Sequence, residues 1–496
     1  MAETKKSNVS YWVWTVIGLF LMFGFGKVVQ PFAGITPVGV SVIGIFVGVL
    51  VIILATGETF WPTVMGIFAL VMSGYSTASG ILSTWFGNVT IQQIIWVMAL
   101  TGAVTESGAV NVLARKMLKI KGLKGHPMKF LTTLFVTVLI GAALVSSPTT
   151  MLLLFYPIVD SISEMCGIEK DSDLKREMLL GVFIAAMGAY ILPFKGIHLS
   201  SIAVISGIMK AQGIAFDSGI YLAVATLIVL LFVVVYLLFI KFVWKTDLTP
   251  LKNFDVDKMG FTKEDLTMTG RQKTLLGFML FGIIFLIISM FLPKGSAVLN
   301  FYNKIGSTWI WIVLFIILCM MRTKDGQPYI NGVKLLQTRT MWGIVATAGC
   351  FSILGTAIAS QGEKGLGICD AIQTALSPIL GNASWPIMVI LCVAASCIFT
   401  NFTNGMPINY TINAVCIPLA CTMQLNGQGN ASVLAVATVV SAMCAFMTHG
   451  AIAYAPLFLN REEITKKFVW TKGAVTNGIY IVVASIICIV AGYICK

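Results

Sequence analysis

Residues 127–163 read PMKFLTTLFVTVLIGAALVSSPTTMLLLFYPIVDSIS. The run is apolar from end to end and longer than the about 20 residues that cross a bilayer as a helix. It carries a polar interruption, Ser146-Ser147-Pro148-Thr149-Thr150. Residues 383–423 repeat the pattern, with Thr400-Asn401-Phe402-Thr403-Asn404-Gly405 as the interruption. A backbone break at membrane depth must be buried and must aim its free N–H and C=O groups at something polar. We read both runs as spanning units whose helices are broken near mid-membrane.

The rest of the chain agrees with a membrane reading. Of 496 residues, 57% are hydrophobic and 11% charged, against roughly a quarter charged in a soluble domain. No strict apolar–polar alternation supports a β-barrel. Eleven spanning units are expected, near 11–30, 39–56, 60–76, 89–107, 127–163, 217–244, 273–293, 307–321, 340–360, 383–423 and 473–495. Stretches 178–212 and 430–459 are apolar but interrupted, at Pro193-Phe194-Lys195-Gly196-Ile197-His198 and at Met447-Thr448-His449-Gly450. We read these as re-entrant segments. The fold class is an all-α polytopic membrane protein.

The net charge of +13 is spread in short basic clusters between apolar blocks, the positive-inside pattern, and does not imply nucleic acid. Basic residues at 115–129, 241–273, 322–339 and 461–472 fall on one side if Lys5 and Lys6 are cytoplasmic; the acid-rich loop 160–177 then lies outside, as does the C-terminus. A cell membrane is the expected location, and the bilayer the expected surrounding. Tyr11–Gln30 is read as a first membrane helix and not as a cleaved signal. The eleven Cys form no CxxC pair and read as small core residues.

Sliding the sequence by 254 residues brings Thr149 onto Thr403, Gly108 onto Gly362, Gly196 onto Gly450 and Lys195 onto His449. The organisation expected is 1–38 as N-terminus and first helix, 39–244 as a first repeat, 245–272 as a cytoplasmic connector and 273–496 as a second, inverted repeat. Opposed repeats with broken helices are a signature of alternating-access transporters. Half-helix N-termini suit anions. A Lys in a membrane segment is expensive and usually functional. The substrate-binding candidates are therefore Ser146, Ser147, Pro148, Thr149, Thr400, Asn401, Thr403, Asn404, Lys195 and His449. An enzyme would need a nucleophile–base pair or a ligand cluster; HExxH, GxSxG and GxxxxGK[ST] are all absent, so neither catalysis nor direct ATP drive is expected. No charged pore ring or Gly-repeat filter supports a channel.

This layout resembles the divalent anion/sodium symporter family, whose members carry citrate, succinate and related anions. In that family a helix hairpin precedes a broken helix in each half, and stretches 108–125 and 362–381 are placed to be those hairpins. The family's Ser-Asn-Thr motif, followed by an apolar run and a proline, is matched in part by Ser147-Pro148-Thr149 with Pro157 and by Asn401-Phe402-Thr403 with Pro418. Pro148 and Phe402 stand where the family has Asn. The resemblance implies a di- or tricarboxylate substrate, an elevator mechanism, a homodimer, and sodium positions near Ser147, Gly196, Thr403 and Gly450. Lys195 and His449 depart from the small residues expected there. A fixed ammonium about 4 Å from a sodium ion costs roughly 4 kcal/mol at an effective dielectric of 20. Sodium-independent transport, by exchange or with proton coupling at His449, is therefore expected, with sodium-coupled symport of a carboxylate or sulfate and an anion channel as the alternatives. Apart from sodium no cofactor is expected.

Overall fold

The computed structural model describes residues 8–119, 123–254, 262–289, 291–293, 295–323, 326–361, 365–380, 384–403 and 405–495. These residues are helical nearly throughout; the one bridge, Arg322 to Pro328, is isolated. Helix is what lipid dictates, since it satisfies every backbone group within its own segment. Among the described residues seven helices are long and apolar enough to cross a bilayer, or nine if two sharply bent pairs each count as one span. The units read at 11–30 and 60–76 are shorter helices, Asn8–Phe23 and Phe60–Met72. The 13 residues of the second span only about 20 Å of a hydrocarbon core about 30 Å thick.

Local sequence sets the helix ends. Thr36 accepts a hydrogen bond from the Gly39 N–H ahead of Pro37, and Gly57 closes the same helix at φ 82°: a hydroxyl cap, proline in the first turn and a left-handed glycine after the last. Ser172 caps Asp173–Ala185, and Asp217 caps the helix that starts at Ser218 and runs to Val243.

The two halves pack by exchange of partners. Val89–Glu106 lies against Ala297–Met320, and Trp342–Ala359 lies against Phe60–Met72. The first also touches Gly332–Arg339 and Gly270–Ser289; the second touches Ala78–Phe86 and Pro37–Thr56. Such reciprocity is what a pseudo-two-fold relation produces. Val89 and Trp342 start 253 residues apart and Ala78 and Gly332 start 254 apart, near the 254-residue slide, whereas Pro37 and Gly270 start 233 apart.

One expectation is corrected. Residues 127–163 do not run on as a broken span; Pro127–Val145 and Pro148–Cys166 fold back as a hairpin. A Cβ on Gly141 would lie 2.8 Å from Met151 Sδ, whereas ten residues of continuous helix would separate them by about 15 Å. Trp385–Phe402 and Gly405–Leu425 form the matching hairpin, their Cys392 and Cys416 thiols close together across it. The stretches read as re-entrant are instead the broken spans. Asp173–Ala185 packs on the first hairpin while its continuation, Leu199–Ala211, packs on Trp342–Ala359 and Gly405–Leu425. Ala431–Ala442 and Ala455–Leu459 likewise take different partners. Stretches 108–125 and 362–381, read as hairpins, carry single short helices, Ala109–Leu118 and Ile368–Leu380; residues 120–122, 362–364 and 381 lie outside the described residues.

The acid-rich loop moves with this correction. Lys175 binds Glu463 at 2.7 Å and Asp160 at 3.1 Å. Arg461 binds Asp160 at 2.6 Å, and Lys472 reaches Asp173 at 2.9 Å and Glu177 at 2.5 Å. Stretch 160–177 therefore shares one end of the molecule with the basic stretch 461–472, not the opposite side. A hairpin returns its chain to the side it came from; a crossing does not.

Candidate functional site

Each hairpin tip docks on the break of the broken span that follows it. In the first half the turn is made by Ser146 in the left-handed region, φ 50°. Ser147 then caps the returning helix, accepting from the Thr150 N–H at 3.3 Å and from its hydroxyl at 2.9 Å. Pro148 occupies the first helical position, where its missing N–H costs nothing. Thr149 is exposed and Ser146 buried. The broken span meets this tip closely. A Cβ on Gly188 would stand 2.4 Å from the Leu139 carbonyl oxygen, and one on Gly196, at φ 101°, 3.2 Å from Ser146 Cβ. Only glycine allows that approach.

Lys195 is fully buried in the first break. Its ammonium donates to the Leu144 carbonyl and lies 3.7 Å from Met279 Sδ. No carboxylate among the described residues pairs with it. Leu144 is in the last turn of its helix, where carbonyls lack intrahelical donors and the dipole favours a cation. His198 bonds the Leu192 carbonyl at 2.9 Å and stacks on Tyr221; Gln93 donates to the Phe194 carbonyl at 2.7 Å.

In the second half Asn401 does the joining. Its carbonyl oxygen accepts from the Phe446 and Met447 N–H groups, both at 2.9 Å, and its amide donates to the Cys397 and Cys444 carbonyls at 2.8 and 3.2 Å. Thr448 donates to the Asn401 carbonyl at 2.6 Å, and Gly405 N–H to Ala451 at 3.1 Å. Thr400 is buried with its hydroxyl turned back on Ser396 at 2.6 Å. Thr403 is half-buried with extended backbone, and Asn404 lies outside the described residues. His449 and Gly450 are exposed. His449 bonds Asn460 Oδ1 at 2.8 Å instead of lying deep beside the break.

The structure thus brings Ser146 to Lys195 and Gly196, and Asn401 with Gly405 to the loop that carries His449. The broken spans are joined to each other by residues the sequence reading passed over. Tyr190 and Tyr454 share a hydrogen bond at 2.8 Å, and Phe183 packs on Phe446, Tyr454 and Phe458; from the second hairpin Tyr410 donates to Ser200 of the first broken span at 2.8 Å. A buried ring of Asn409, Asn413 and Thr438 fastens the second hairpin to its broken span. Its sequence signal was two amides four residues apart, hence on one helix face.

A cavity of about 710 Å³ reaches the first break from one end of the molecule. Pro193 and Phe194 form part of its wall together with Gln93 and Lys210; neither hairpin tip lines it.

No protein-family model matches the chain, and no curated protein matches it in sequence. Solved structures do match. The YdaH transporter of Alcanivorax borkumensis superposes with a TM-score of 0.57 over 83% of this chain and 86% of its own, at 11% identity. MtrF of Neisseria gonorrhoeae, described as illuminating a class of antimetabolite efflux pumps, gives 0.53 over 84% of each chain at 12% identity. Neither is named as a divalent anion/sodium symporter, so these likenesses reach the fold and not that family: the chain has the fold of a membrane transporter.

Proposed function

We propose that this chain is a secondary transporter that carries small organic anions, di- or tricarboxylates, by alternating access, and that it exchanges them without sodium. It is not an enzyme; it works as a homodimer in the cell membrane, with its N-terminus in the cytoplasm and its C-terminus outside. The observation that carries the reading is Lys195: a buried ammonium, unpaired with any described carboxylate, on a helix C-terminal carbonyl at the joint between a hairpin tip and a broken span. A buried charge is retained only where function needs it or a counter-charge visits it. An anion supplies that counter-charge. The ammonium also occupies the kind of position a coupling cation would take, and its charge would oppose sodium there.

The test is uptake of labelled succinate, malate and citrate into proteoliposomes, in sodium and in choline buffer, with and without unlabelled anion inside. Uptake that is indifferent to sodium, stimulated by internal anion and abolished by Lys195→Ala is expected. Strict sodium dependence would return the chain to the symporter reading, and no uptake of any carboxylate would reject the substrate class.

A further inference from the structure

We infer that the 710 Å³ cavity is a second anion site, at which a small carboxylate is held before it reaches the first break. The inference rests on the anion-carrier reading above. Its wall combines an apolar body with convergent polar groups, as ligand sites do, and its volume lies within the roughly 300–1,000 Å³ they occupy. Thr90, Ser206, Ser218 and Ser289 supply hydroxyls and Gln93 an amide. Lys210 is the one charged residue in the lining, exposed and joined to no carboxylate among the described residues.

Asp217 is the nearest acid in sequence. Its carboxylate is committed to the Gly219 and Ile220 N–H groups, and it faces a neighbouring cavity with Leu227 and Phe291. Among the described residues the lining itself thus carries one positive charge and no negative one, and the hydroxyls of Thr90, Ser206 and Ser218 can donate to carboxylate oxygens.

Position adds to the chemistry. The helix that begins at Ser218 ends at Val243, close to Thr246, which donates to Glu177 of the ion cluster. Its 26 residues put the cavity about 39 Å from that cluster. The cavity reaches Phe194, the neighbour of Lys195, and lies at the other end of this helix from the ion cluster. An anion attracted by Lys210 is thus delivered to the segment that holds the buried ammonium.

The site can be probed apart from transport. Ser206→Cys in the full chain, in proteoliposomes, is treated with anionic or cationic methanethiosulfonate reagents, with wild-type reaction of the native thiols subtracted. The anionic reagent should react roughly tenfold faster, the Coulomb factor for charges about 6 Å apart in a water-filled cavity, counted for both signs. Lys210→Glu should reverse the preference, and citrate should slow labelling where chloride at equal ionic strength does not. Ser218→Cys, on a different helix, gives the same readout if Ser206→Cys fails to fold. Equal rates for the two reagents, or no protection by citrate, would overturn the site even if uptake is normal. A charge-selective, citrate-protected cavity with no carboxylate uptake would uphold the site and reject the transport reading.

Discussion

Asn401 shows how far a residue can be read before its neighbours are known. A carboxamide has two acceptor positions and two donors, and Asn401 spends all four, on Phe446, Met447, Cys397 and Cys444. The sequence marked the position, because amides and hydroxyls in an apolar run are costly, but it could not tell a ligand from a rivet, since three of the four partners lie more than 40 residues away. Asn401→Leu strands two buried N–H groups at about 1–3 kcal/mol each. We expect a loss of about 2–6 kcal/mol, read as a lower melting temperature and a smaller monodisperse fraction in detergent. Thr400→Val, which removes a hydroxyl already bonded within its own helix, should leave both stability and uptake near wild type. Thr149 and Thr403 keep less committed hydroxyls, one exposed and one half-buried. Thr149→Val and Thr403→Val should each slow carboxylate uptake while the protein remains folded, and normal uptake by both would move the substrate away from the tips.

At the scale of elements, apolar length and breaks were legible, whereas the path of the chain after each break was not. A long apolar run with a polar centre fits a broken span and a hairpin equally well; the difference is whether the second piece packs on the first, which is a tertiary fact. Charge misled as well. The loop 160–177 was placed outside for its acids, yet topology follows Lys and Arg while Asp and Glu contribute little, and this loop also holds Lys170, Lys175 and Arg176. The hairpin gives a sharp prediction. In a chain keeping only Cys392 and Cys416, with a protease site inserted between Thr403 and Gly405, mild oxidation should hold the two cleaved fragments together until reductant is added. A continuous helix would put these thiols about 36 Å apart, and the fragments would separate at once.

For the whole molecule the informative feature is that its two ends differ. The ion cluster joins the first half, through Asp160, Asp173, Lys175 and Glu177, to the second, through Arg461, Glu463 and Lys472. Burial works to raise the Glu463 pKa, but the bonds from Lys175 and Arg461 outweigh it and hold the carboxyl at about 2. A depressed carboxylate stabilises the fold above its unfolded value, about 4.3, and loses that contribution as pH falls through the folded value. Melting temperature should therefore be level from pH 7 to 5 and drop between about 4 and 2, while Glu463→Gln should start lower and lose that part of the slope. The cluster also bears on the conformational balance. Its pairs link the two halves in this state, and a state in which the halves part at this end must break them. Removing both charges of one pair, by Glu177→Gln with Lys472→Met, avoids leaving a lone buried charge and withdraws that bias. If the pair favours the present state by about 1.4 kcal/mol, its loss changes the ratio of states about tenfold. Spin labels at positions 206 and 289, on different helices that line the cavity, report the ratio. The wild type should show mainly the long distance, and the double variant should gain a shorter one as the cavity closes. An unchanged distance distribution would mean that the cluster only fastens the helices together and plays no part in choosing which end is open.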